Sequence, residues 1–114
     1  MKRIAMSNSE RFISILTVPG VDQYILVDRT AKIIAHAMPE PQKMAELVSA
    51  CGFQSHAIGK GNFRYVVFSR ENQENFFIFP VGKYYLGVIK QKHVNNTALA
   101  ENIIQFLKDF LHRK

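Results

Sequence analysis

ENFFIFPVGKYYLGVI, residues 74–89, decides the fold. A strand with one wet face alternates apolar and polar residues. This stretch instead carries Phe76, Phe77, Ile78 and Phe79 without a break, then Tyr84, Tyr85, Leu86, Val88 and Ile89. Pro80 and Gly82 punctuate it. It reads as two strands, 76–80 and 84–92, joined by a tight turn at Val81-Gly82-Lys83 and buried on both faces. The question it raises is what covers both faces in a chain of 114 residues.

Working outward, Phe63 to Ser69 reads as the strand before this pair, and polar residues 70–75 as the loop between them. The three form an antiparallel meander. Upstream, Gln23–Val27 and Lys32–Met38 read as a hairpin around Asp28-Arg29-Thr30-Ala31, a turn without the usual Asn-Gly or Asp-Gly. Pro39-Glu40-Pro41 opens a helix, since Pro suits the first helical position. Its apolar stripe is Met44, Leu47, Val48 and Cys51, and Gly52 follows where a left-handed C-cap is expected.

Two more helices flank these elements. Ser7-Asn8-Ser9-Glu10 has capping-box spacing, and Phe12, Ile13, Ile15 and Leu16 extend a helix over about 8–18, which Pro19-Gly20 ends. At the other end Leu99, Ile103, Phe106, Leu107, Phe110 and Leu111 keep helical spacing, with Asn95, Asn96 and Thr97 as candidate caps. His112, Arg113 and Lys114 put positive charge where the helix dipole favours it. The order α-β-β-α-β-β-β-α defines an α+β fold, a five-stranded mostly antiparallel sheet between helices, with residues 1–114 as one domain.

On this reading the middle helix has two to three turns. At 1.5 Å per residue it is too short to roof a sheet about 24 Å across. Part of one face stays bare, with aromatics of the third strand in it. An exposed patch of about 600 Å² is large for a monomer and approaches what a standard interface contributes per partner. The expectation is a homodimer in which the third strand, a sheet edge, pairs with its copy.

Composition bounds the function classes. Hydrophobic residues make up 47% and charged residues 21%, a globular balance. The net charge of +6 comes from scattered Lys and Arg, without the runs or motifs of a nucleic-acid binder. No apolar run is long enough to insert into a membrane, and the N-terminus turns polar too soon for a signal peptide. The single cysteine, Cys51, fits a reducing, cytoplasmic setting.

Chemical constellations are absent from the sequence. Gly59-Lys60-Gly61 lacks the Ser or Thr and the strand-before-helix context of a phosphate loop. His36, His56, His93 and His112 show no metal-ligand spacing. Cys51 and His56 straddle the expected helix end, and Cys51 reads as a buried thiol. Asn102, on the last helix, reads as a hydrogen-bonded core amide. No cofactor, metal or catalytic residue is implied.

The stretches VPGVDQYILVDRTAKIIAHA (18–37), IGKGNFRYVVF (58–68), IFPVGKYYLGVI (78–89) and NNTALAENIIQFL (95–107) together resemble the Roadblock, or dynein light-chain roadblock-type, family. The resemblance spans nearly the whole chain and rests on the order and spacing of apolar patterns. It departs at the first hairpin turn, which lacks the glycine common there in relatives. It implies a roadblock/profilin-like fold, a homodimer built from the middle helix and third strand, and a regulatory or adaptor role toward Ras-like small GTPases of the prokaryotic type. It implies no catalysis of its own. Carried over by position, the dimer or partner interface is Lys43, Leu47, Ala50, Arg64, Val66 and Phe68. The alternative is a small-molecule sensor of profilin or PAS type, which requires an enclosed apolar pocket.

Overall fold

Alternation along each strand sorts the apolar residues onto two faces, and each face has its own helical cover. The computed structural model describes residues 13–59, 64–70 and 73–112. Strands β1 (Val21–Val27), β2 (Ile33–Ala37), β3 (Val66–Arg70), β4 (Gln73–Val81) and β5 (Tyr84–Lys90) form one antiparallel sheet in the order β2-β1-β5-β4-β3. Helix α1 (Pro41–Gly59) covers one face. Helix α2 (Asn96–His112) and a 3-10 turn (Ile13–Thr17) cover the other.

The two strands of the opening stretch lie inside the sheet, and they are buried on both faces as expected. Phe77, Phe79, Leu86 and Val88 point toward α2, beside Tyr24 and Leu26 of β1. Phe76, Ile78 and Tyr85 point toward α1, beside Ile25 and Val27. β4 is longer than expected and takes in residues 73–75, which the sequence reading assigned to a loop. Val81 pairs with Tyr84 across Gly82-Lys83. Gly82 holds φ +60 there, as the first position of a tight hairpin demands.

The middle helix corrects the sequence reading. It does not stop at Gly52 but runs 19 residues to Gly59, about 28 Å at 1.5 Å per residue. Gly52 is a packing residue rather than a cap. A Cβ on it would stand 2.6 Å from the Tyr85 ring. Gly87, opposite on β5, is in the same position, because its Cβ would meet Val48 at 2.7 Å and Phe76 at 2.8 Å. Two glycines, one on each surface, let helix and sheet approach closely. The helix lies across β2, β1, β5 and β4, so the roof is not too short for its sheet.

The remaining differences are local. The chain takes a 3-10 turn at Ile13–Thr17, closed by the bond from Val18 N to Ile15 O at 3.0 Å. The expected capping box at Ser7–Glu10 lies outside the described residues, as does Phe63 at the expected start of the third strand. Asn95 caps α2, its Oδ1 accepting from the Ala98 amide at 3.1 Å. Asn102 Nδ2 donates to the Pro19 carbonyl at 3.3 Å and ties α2 to the segment after the 3-10 turn.

Candidate interaction surface

At 100° per residue, the face of α1 that meets the sheet is centred on Ala45, Val48 and Gly52. Leu47 therefore points away from the sheet and is 41% exposed. It does not belong to the core stripe that the sequence reading gave it. Lys43 and Ala50 share its exposed side. Lys43 Nζ stands 3.7 Å from Glu40 Oε1, a surface pair of small energetic weight. Phe53, one turn further on, is the most exposed large hydrophobic side chain described, at 64%. The sequence reading missed it because it ended the helix at Gly52. The absence of proline between Pro41 and Gly59 would have signalled the longer helix.

Next to this face lies the β1–β2 turn. It achieves without glycine what glycine usually supplies. Ala31 holds φ 70, a conformation costly for a residue with a Cβ. Asp28 Oδ1 compensates by accepting from the Thr30 amide at 2.8 Å, the Thr30 hydroxyl at 2.7 Å and the Lys32 amide at 3.0 Å. Those bonds, the Thr30 hydroxyl foremost, hold the Asp28 carboxyl below the usual carboxylate range. Ser49 Oγ donates to the Arg29 carbonyl at 2.9 Å and fixes the turn to α1. Between turn and helix lies an open groove of about 370 Å³, lined by Arg29, Thr30, Ala31, Glu46, Ser49, Ala50 and Phe53.

The second part of the surface is the free edge of β3. Among the described strands, β3 is bonded only to β4. Val66 and Phe68 lie on the α1 side and are half-buried, whereas Arg64 is exposed. Val67 lies on the α2 side and is 37% exposed. The bare aromatic patch expected here is smaller than argued, because Tyr65 is half-buried with its ring 5.5 Å from Phe79 and 6.3 Å from Phe77. The six residues carried over from the resemblance thus fall in two groups. Lys43, Leu47 and Ala50 lie on the back of α1, and Arg64, Val66 and Phe68 on the edge strand.

Among the described residues, reactive chemistry finds no assembled site. Cys51 is half-buried, less buried than the sequence reading had it, and burial pushes its thiol pKa up, away from the thiolate. Among the described residues no group of three or more His, Cys, Asp and Glu could hold a metal ion. No described helix is long and apolar enough to cross a membrane.

Solved structures share this architecture. Gliding protein MglB from Thermus thermophilus aligns at a TM-score of 0.75 and 16% identity, over 94% of this chain and 90% of that one. The Roadblock/LC7 domain from Streptomyces avermitilis aligns at 0.66 and 18%, over 83% and 86%. A profilin from Schizosaccharomyces pombe aligns at 0.66 and 15%, over 92% and 97%. No family model matches the sequence, and no curated protein matches it. The chain has the roadblock fold, which profilin shares.

Proposed function

We propose that this chain is a non-enzymatic regulatory or adaptor module. It pairs with its own copy and binds a Ras-like small GTPase through a surface spanning both copies. The observation that carries the reading is the apolar back of α1, with Leu47 and Phe53 exposed on the side opposite the core. A helix apolar on both sides has two partners, and among the described residues α1 has one, the sheet. The free β3 edge supports the pairing, since an open strand edge is a template for another chain. Antiparallel pairing of β3 with its copy continues the sheet and brings both α1 helices to one face. The interface residues are then Lys43, Leu47, Ala50, Arg64, Val66 and Phe68. The likeness to roadblock folds supports the choice of a GTPase as partner.

The ligand-sensor alternative calls for an enclosed pocket, and the groove beside α1 is open. The regulator reading is tested by titrating the chain against Ras-like GTPases encoded beside it, each loaded with GDP and with a GTP analogue. Binding in one nucleotide state, with two copies of this chain per complex, is the expected result. Absence of binding in both states for every such GTPase overturns the reading.

A further inference from the structure

The sheet has two outer strands, and the pairing proposed above uses one of them, β3. The other is β2, at the opposite edge, bonded among the described strands to β1 alone. Its backbone is closed at both ends. At the start, Asp28 Oδ1 holds the Lys32 amide at 3.0 Å, and the Lys32 carbonyl accepts from the Asp28 amide at 3.0 Å. At the finish, the Met38 amide donates to His36 Nδ1 of its own strand at 3.4 Å. Pro39 and Pro41 beyond it have no amide to offer. The backbone open to another chain is therefore the strand itself, Ile33–Ala37. At about 3.4 Å per residue it makes a slot of roughly 17 Å. Ile34 is an extra residue in the pairing with β1, so the regular part is Ala35, His36 and Ala37.

The two faces of this edge differ. On the α2 side stand Ile34, Ala35 and Ala37, all half-buried. His36 alternates with Ala35 and Ala37, so it stands on the α1 side, and it is exposed. Arg29 and Lys32, both exposed, stand at the turn end. Asp28, the carboxylate of that turn, is half-buried and occupied by donors of Thr30 and Lys32. The edge thus presents an apolar layer on one face and cationic side chains, with a histidine, around the other.

We infer that β2 accepts an extended segment of another protein as an added strand, and that the segment alternates acidic with β-branched residues. Successive side chains of a strand go to opposite faces. Branched apolar residues on the α2 side continue the layer of Ile34, Ala35 and Ala37. Acidic residues on the α1 side come beside His36, and one at the turn end comes toward Arg29 and Lys32. Opposite charges and β-branched side chains are favourable neighbours across strands, and like charges are not. The same cations turn away a second copy of this chain, because β2 against β2 sets positive edge to positive edge, a use of edge lysines that keeps strands apart. The occupant is therefore foreign and acidic. Backbone bonds supply the affinity and the alternating side chains the selection. The slot is short and has no deep pocket, so the contact is weak and reversible. It rests neither on the pairing of copies nor on a GTPase.

The test is amide NMR of the full isotope-labelled chain, titrated with three capped peptides: VEVEV, VKVKV, and VEVEV with every peptide nitrogen methylated. VEVEV should shift the amides of Ile33–Ala37 foremost. VKVKV should bind about tenfold or more weakly, and the methylated peptide, which cannot donate to a ladder, should not bind. Lys32→Glu with His36→Glu should reverse the preference in favour of VKVKV. A reversal, unlike a loss, cannot come from a misfolded chain. Val67→Lys, which charges the β3 edge, should leave the titration unchanged. Shifts centred on β3 or on α1, equal affinity for VEVEV and VKVKV, or binding of the methylated peptide overturns the strand addition. So does the absence of any response to VEVEV, a failed reversal, or a changed titration of Val67→Lys. None of these results bears on whether β3 pairs with its copy.

Discussion

The two long helices differ in what they do with their apolar residues. α2 puts Leu99, Ala100, Ile103 and Leu107 into the sheet and keeps Glu101, Gln105, Lys108 and Asp109 outside. α1 meets the sheet with smaller residues, Ala45, Val48 and Gly52, and turns Leu47 and Phe53 outward. The first arrangement completes a monomer core. The second leaves its bulky side chains exposed and gains helix–sheet contact by close approach instead of volume. A clean stripe marks a helix with one partner, whereas a helix with apolar side chains on its outer side as well presents a surface of the kind interfaces use.

The largest expected effect falls on the α2 side. Ile103 is fully buried. Ile103→Ala removes volume from a filled layer and should lower unfolding free energy by about 2–5 kcal/mol, read from urea or guanidinium unfolding. A loss under about 1 kcal/mol would mean that this face is looser than its packing indicates, and the contrast would weaken. Next comes the α1 side, where addition rather than removal does the harm. Gly52→Ala drives a methyl into the Tyr85 ring and should cost about 1–3 kcal/mol. Alanine is the better helix former, so propensity alone predicts a gain of about 1 kcal/mol. The sign of the change therefore decides between packing and propensity. Hydrogen exchange should show faster opening of α1 than of α2 in this variant.

The same contrast explains what the sequence disclosed. α2 was legible because its stripe, cap and polar face agree with one another. The sandwiched strands were legible because Phe76–Phe79 and Tyr84–Ile89 do not alternate, which excludes a wet face. α1 was misread at Gly52, because a glycine after an apolar stripe has the look of a stop. Only the ring of Tyr85, 33 residues away in sequence, shows that it is a contact point. That error hid Phe53 and sent Leu47 to the wrong side, so half of the candidate surface was visible only in three dimensions. The sequence reading expects a homodimer because it gives the middle helix too little length to cover its sheet. The helix is long enough, so that argument fails, and what favours pairing is the exposure of Leu47 and Phe53 on its back.

The smallest effect concerns the turn that walls the groove on the α1 side. Ala31 at φ 70 is held by the three bonds that Asp28 accepts. These bonds favour the ionised carboxyl, so its folded-state pKa lies below the unfolded one. Stability from this group is then fully present above the unfolded carboxylate value, about pH 4. It is lost as pH falls through the lower folded value. Asp28→Asn cannot titrate. The stability gap between wild type and this variant should be constant from pH 7 to about pH 5 and should shrink below about pH 4. Urea midpoints measured across that range check it. Because Ser49, in the middle of α1, ties the turn to the helix through the Arg29 carbonyl, loosening the turn should also speed exchange around Ser49 and leave α2 untouched. A gap that widens in acid would mean that the carboxylate strains the turn rather than holding it, and the groove wall would then need another source of order.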